Sequence, residues 1–432
     1  MTMNSHVAAG SDKAAFVQSA GMFALAENRL SRLGQLSGPL PKGEGKVAEM
    51  IRKQSSSDYP IVKAMDLSRG TGDEVEFHFV QPSKMRPIMG SRMVEGKGTG
   101  LAYDKARTRV DQARIPVKLG DTMTNIRSAV DFTKLARPVA QSHANAYLDQ
   151  SILAHVAGAR GFHDNIEWRV PTEDDPEFAE MMVNPVKAPT KNRHYMADGT
   201  NGIKGFTVNA GEASLATTDD LNMTVVDSIR TLIESLPLPP PAVKLPGDAA
   251  AEDEPLRALI LSPAQYHAFA QDDAFRKFQV AALNRASNAK GHALFKGEAA
   301  LWNGILLLKQ PKPVRFYAGN TIRYANSFTS EAESSCLVPA SFGTTHAVDR
   351  AILLGGQSLM QAFAASGLSG MPFFWNEETF DHKDKRELMI GVIQGLQKVR
   401  FAVDQGNGTK HWTDIGAMAI DTVVKLIPGE RT

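Results

Sequence analysis

The chain has 432 residues, 43% hydrophobic and 22% charged, and its 48 Lys and Arg against 47 Asp and Glu leave a formal net charge of +1. That length allows two or more domains, or one elaborated domain with a substantial core. The balance of charge excludes a global field aimed at nucleic acid or an acidic membrane, and a single cysteine, Cys336, excludes an internal disulfide.

Cys336 reads as a small buried apolar residue rather than a nucleophile. There is no basic stretch leading into a signal-like apolar core, and no apolar run of membrane-spanning length. The expectation is a chain made and folded in a cytoplasm, with no membrane partner.

Residues 1–46 are rich in Ala, Gly and Ser. Phe23, Ala26, Leu30 and Leu33 fall at helical spacing, and the run Gly34 to Gly45, with Pro39 and Pro41, breaks that pattern. Such a piece has little to bury alone. It reads either as an arm in need of a partner surface or as a disordered tail.

Alternating Val75, Phe77 and Phe79 predict a strand, and the run from Arg107 to Val117 suits an extended return. Between them lies VQPSKMRPIMGSRMVEGKGTG, Val80–Gly100, basic and poor in periodic apolar residues. Positive charge concentrates along this excursion at Lys84, Arg86, Arg92, Lys97, Lys105, Arg107, Arg109 and Arg114, and Gly90, Gly96, Gly98 and Gly100 suit a hinged tip. Arms of about twenty residues would extend up to ~60 Å, against a gyration radius of ~13 Å for a 100-residue domain. A lone ribbon is marginal in water. It is expected to rest on another molecule, a mobile surface loop being the alternative.

Thr122 to Ala157 carries the clearest helical pattern. Ile126, Val130 and Leu135 mark one apolar face, and Leu148, Ile152 and Val156 another. Pro138 either kinks one helix or starts a second, and Gly158 and Gly161 supply a stop. Residues 162–215 suggest loops with short strands. Leu221 to Leu236 reads as a helix with Asp219 and Asp220 near its start. The stretch 237–255, PLPPPAVKLPGDAAAEDEP, reads as an exposed excursion that packs no core. A buried strand at Arg257–Ser262, a helix from Pro263 to Ala282, and strands at Leu306–Lys309, Arg350–Leu354 and Gln397–Val403 follow. Strands and helices alternate without a βαβ rhythm, so the class is α+β.

The chemistry-bearing candidates are weak. GKGTG at Gly96–Gly100 lacks phosphate-loop spacing and leads into an extended run, not a helix N-terminus. His155 and His163 have no carboxylate or thiol at metal-ligand spacing, and read as ordinary polar residues at a helix end. Glu377, Glu378, Asp381, His382 and Asp384 could hold a metal or run acid–base chemistry. The interspersed Lys383, Lys385 and Arg386 favour a solvated, salt-bridged turn instead. With no GxSxG elbow and no HExxH, no catalytic residue, cofactor or metal site is expected. Glu95, Asp104 and Asp111 dilute the basic ribbon, and only Tyr103 could stack on a base. Complementary charges on a neighbouring subunit account for the ribbon equally well.

As an ordered set, the same segments resemble a family. The excursion ends in Val110-Asp111-Gln112-Ala113-Arg114, and the following helix carries Leu148-Asp149-Gln150-Ser151-Ile152 and Ala157-Gly158. Ala293-Leu294-Phe295-Lys296-Gly297, Trp302-Asn303-Gly304-Ile305 and Arg350-Ala351-Ile352-Leu353-Leu354-Gly355-Gly356-Gln357 come next. Trp375-Asn376-Glu377-Glu378-Thr379 with Asp381, then Gly391, Gly395, Lys398 and Arg400-Phe401, close the series. From about Val47 almost to the C-terminus, this order resembles the major capsid proteins of tailed bacteriophages with the Hong Kong 97 fold.

The resemblance implies an N-terminal arm (1–65), an extended E-loop (66–118), and a peripheral domain (119–215) with a spine helix near 122–158. An axial domain (216–385) with an insertion at 237–255, and C-terminal strands (386–432) returning toward the peripheral domain, complete it. It implies self-assembly as hexamers and pentamers into an icosahedral virion shell around double-stranded DNA, assembled in the host bacterial cytoplasm. Scaffolding and portal proteins would be separate, and a decoration protein is a further partner. Neither end of the sequence is a basic tail, which suits DNA pumped past a wall that barely attracts it. Some relatives join an E-loop lysine to an asparagine through an isopeptide bond; Lys97 has the matching place, without an identified partner. An encapsulin-like compartment shell and a DNA-binding protein using the 84–114 ribbon are the alternatives.

Overall fold

The computed structural model describes residues 33–38, 55–56, 58–67, 74–80, 87–96, 103–121, 132–244, 255–271, 300–364, 372–382, 384–404 and 409–427. Helix α1, Phe132–Ala157, is the longest helix described, about 39 Å at 1.5 Å per residue. Pro138 lies inside it, so the proline neither ends one helix nor starts another. At the seventh position of the helix it forgoes one i→i−4 hydrogen bond. Residues 122–131, where Ile126 and Val130 fall, lie outside the described residues.

Two sheets share α1. In the first, the long strand Lys385–Lys398 is the hub. Gln394 is flanked by both Asp111 and Phe363, so Asp111–Asp121 lines one edge of the hub. Phe373–Phe380 and Leu359–Ala364 follow each other along the opposite edge, and Ile61–Leu67 adds parallel to the latter. The N-terminal half of α1 lies on this sheet through Ala136, Ala140 and Ala144, against Leu119, Leu388 and Ile390. Alanines at every fourth position put small side chains on one stripe, which lets helix and sheet approach closely.

The second, eight-stranded sheet centres on His346–Leu354, paired along its whole length with Ala417–Lys425. One face is covered by helix α3, Met223–Ser235, through Val225, Val226, Ile229 and Ile233, and by Phe269 of helix α4, Pro263–Ala270. The other meets Ile152, Leu153 and Val156 of α1 together with Ile322 and Cys336 of a small four-stranded sheet. Cys336 is thus a buried apolar group, and burial pushes its thiol up to about 11. Helix α2, Glu177–Met182, packs its Phe178 and Met182 on α1 and on Phe373 of the first sheet. Helices and mostly antiparallel strands without a βαβ series make the architecture α+β.

Gly158 ends α1 at φ +70, where an added Cβ would sit 2.5 Å from the Lys187 carbonyl oxygen. Several expectations need correction. The α3 cap is Asn222, whose side chain accepts from Val225 N; Asp219, expected near the helix start, instead accepts from Gly199 N and Ala216 N. The first part of the Pro-rich excursion does pack: Val243 is buried and bridges Leu256, and the Pro240 carbonyl accepts from Arg257 Nε. Residues 245–254 lie outside the described residues. The run Gln397–Val403 is two elements, because Val399 interrupts pairing between the hub and the strand Arg400–Asp404. His155 does lie in the last turn of α1, but it is buried in the core, and its Nε2 lies 3.3 Å from the Met182 carbonyl.

No helix among the described residues is long and apolar enough to cross a membrane.

Candidate functional site

The excursion that stood out in the sequence is a hairpin whose two ends have opposite surroundings. Glu74–Val80 pairs antiparallel with Tyr103–Arg109 over seven positions, about 23 Å of ribbon. Alternation sorts its faces. Val75, Phe77, Phe79 and Thr108 are buried, while Glu74, Lys105, Arg107 and Arg109 are exposed. The apolar face beds against Val62, Met360, Ala362, Val399, Phe401 and Val403, and the Phe79 and Phe401 rings lie 5.3 Å apart.

This corrects the expectation that the ribbon as a whole lacks a resting place on its own chain. Its strands have one. The returning run also divides at Val110: Tyr103–Arg109 belongs to the ribbon, whereas Asp111–Asp121 turns into the first sheet.

The corner between them is clamped. Asn184 accepts from the Arg109 backbone N–H at 3.2 Å and donates to the Arg109 carbonyl at 2.8 Å. Across the corner lies Gly395, where an added Cβ would come 2.0 Å from that carbonyl oxygen. Any larger residue would push the ribbon root off the hub strand.

Beyond the root, residues 87–96 form the described part of the tip, all exposed except the half-buried Ile88. Gly90 and Gly96 adopt φ +71 and +75, which favours glycine. Met89 is 71% exposed, Met93 68% and Val94 64%. Charge and glycine are the conspicuous features of this segment in the sequence, and these three apolar side chains are less so. Their signal was present as methionines at every fourth position, Met85, Met89 and Met93, in a segment without helical context.

The basic residues divide similarly. Arg107 pairs with Glu76 at 3.1 Å and with Glu74 at 3.8 Å, and Lys105 with Glu76 at 3.7 Å, so both are engaged across the hairpin itself. Arg92, Arg109 and Arg114 are exposed and make no ion pair among the described residues. Lys84, Arg86, Lys97, Gly98 and Gly100 lie outside the described residues.

The other chemistry-bearing residues hold the body together. Arg350 grips Asp421 with two hydrogen bonds, 2.7 and 3.0 Å, and donates to the carbonyl of Ala157, the last residue of α1. His194 Nε2 lies 2.8 Å from the same carboxylate. Burial lowers His194 to about 4, against the opposing pull of Asp421, and lowers His155 to about 4. Burial works to raise Asp421, but Arg350 and His194 outweigh it and hold the carboxyl below its ordinary range. A parallel cluster joins Arg400 to Asp414 at 2.7 Å, beside Lys398, whose amine burial lowers to about 8. These ion pairs tie the second sheet to α1 and the hub to the strand Lys410–Asp414.

Glu377 and Glu378 are exposed on the strand Phe373–Phe380. Asp381, 2.9 Å from Lys385, belongs to the turn that joins this strand to the hub. Among the described residues no group of three metal-ligating side chains converges.

What this arrangement offers is a contact surface carried on a rigidly rooted arm. Comparison with curated protein sequences gives no match. Among solved structures, the capsid of Ralstonia phage GP4 shares 22% identity over 90% of this chain and 93% of that one, with a TM-score of 0.67. The cyanophage Pam1 capsid shares 14% over 85% and 89%, TM-score 0.56. The capsid of Helicobacter pylori bacteriophage KHP30 shares 11% over 92% of each, TM-score 0.52. At such identities the likeness is one of fold. The profile of the phage capsid protein family matches residues 6–426. This chain belongs to the phage capsid protein family: it is a structural, non-enzymatic component of the virion shell.

Proposed function

We propose that this phage capsid protein is the major subunit of an icosahedral tailed-phage head, and that the ribbon is an E-loop whose tip seats on a sibling copy. The observation that carries the reading is the contrast within one hairpin. Its root is buried and clamped at Arg109, while Met89, Met93 and Val94 stand in solvent on the far side of a fixed corner. An arm held this way keeps its direction, so the tip is pre-positioned for a partner and loses little freedom on docking.

Identical chains in head-to-tail contact close into hexameric and pentameric rings, and rings tile a closed shell. The peripheral domain (119–215) would be built on α1, the axial domain (216–385) on the second sheet, and residues 1–65 would serve as the arm. The strands of 386–432 would join the two, since the hub pairs with Asp111–Asp121 while Ala417–Lys425 pairs with His346–Leu354. Arg92 and Arg109 give the ribbon a positive surface, and the exposed carboxylates of Glu377 and Glu378 are the candidates to meet a neighbour's ribbon. Packaged double-stranded DNA would line the interior without sequence-specific binding, as the net charge of +1 suits. Scaffolding, portal and decoration proteins would be separate chains.

Deletion of residues 90–100 tests this. The variant is expected to remain folded and soluble yet form no stable particles by sedimentation and electron microscopy. Normal shells from it would overturn the E-loop assignment.

A further inference from the structure

We propose that Met89 and Met93 form an oxidation site whose conversion to methionine sulfoxide blocks shell assembly. The inference rests on the reading of the ribbon tip as a contact between copies. Both thioethers stand in solvent, 71% and 68% exposed, four positions apart across the Gly90 turn. Met182, Met196, Met360 and Met418, by contrast, are each 3% exposed or less. Thioether oxidation by a dissolved peroxide requires contact between sulfur and oxidant, so among the described residues exposure sets this pair apart from those four, with Met181, Met223 and Met389 half-buried between them.

The step balances without a cofactor. A sulfur lone pair attacks one oxygen of hydrogen peroxide, the O–O bond breaks as the S–O bond forms, and the departing oxygen leaves as water after proton transfer. Sulfur loses two electrons and the peroxide gains them. The product exchanges a flexible apolar group for a polar one that accepts hydrogen bonds. A tip that docks through Met89, Met93 and Val94 would then have to bury two sulfoxide oxygens, which opposes docking unless the receiving surface supplies donors. Once the shell is closed, the same contact would shield both sulfurs. The site would therefore be open only in unassembled chains.

The test treats purified chains and purified particles with hydrogen peroxide and follows each methionine by peptide mass spectrometry. In free chains Met89 and Met93 are expected to oxidise at least ~10-fold faster than Met182, Met196, Met360 and Met418. Oxidised chains are expected to stop assembling and to recover after methionine sulfoxide reductase. A Met89→Leu, Met93→Leu variant, of similar volume and apolarity, is expected to assemble normally with or without peroxide. Equal oxidation rates across the chain, or normal assembly of chains oxidised at both positions, would overturn the proposal. Failure of the underlying reading looks different: both sulfurs would then oxidise as fast in particles as in free chains.

Discussion

The two ends of the ribbon carry the same kind of residue in opposite settings. At the root, Val75, Phe77 and Phe79 are 6% exposed or less, and they pack on Phe401 and its neighbours. At the tip, Met89, Met93 and Val94 are at least 64% exposed. Burying a large apolar side chain stabilises by roughly 1.5–3 kcal/mol. The root obtains that within its own chain, whereas the tip forgoes it until a partner arrives. The division at the root marks where folding of the chain ends and assembly begins.

The sharpest way to break that comparison is at the root. Phe77→Ala is expected to cost about 3–5 kcal/mol of stability by denaturant unfolding, because it empties a fully buried site. A cost near zero would mean that the ribbon is not bedded on the body at all.

Acid is expected to have the next largest effect, through the body. His155 and His194 are lowered to about 4, so between pH 6.5 and 4 the unfolded chain binds protons that the folded chain refuses. Stability is therefore full above pH 6.5 and falls as pH drops toward 4, by about 2 kcal/mol per histidine at pH 5. His155→Gln should flatten that decline; an unchanged pH profile would contradict the assignment of His155 as a contributor.

The smallest effect belongs to the ribbon's surface charges. Arg107→Gln removes the pairs with Glu74 and Glu76 without adding like-charge repulsion and is expected to cost under ~1 kcal/mol, fading in high salt. A larger, salt-independent loss would show that Arg107 serves more than the hairpin.

Legibility in the sequence follows the range of the interactions. The strand Glu74–Val80 could be read because Val75, Phe77 and Phe79 alternate locally, and the α1 face because Leu148, Ile152 and Val156 repeat every fourth residue. The switch at Val110 could not. Both sides of it are extended, and only the pairing partner changes, from Glu74–Val80 to the hub nearly three hundred residues away, as Ala113↔Val392 shows. Arg350 and Asp421, which close the junction with α1, lie 71 residues apart and have no local pattern. The packing of Val243 was hidden for another reason: proline content argues against regular structure, not against burial. At the tip, the charges are conspicuous because they cluster, while methionines at every fourth position mark no helix in a segment with two prolines and several glycines.

The tip itself offers the most direct measurement. Cys336, the only cysteine, is 3% exposed, so a Ser91→Cys variant presents one accessible thiol at the ribbon tip. Maleimide labelling of that thiol should be rapid in free chains and slowed at least ~10-fold in assembled particles, as burial of the tip on a sibling requires. Equal labelling rates in chains and particles, with normal shells in the microscope, would contradict the account.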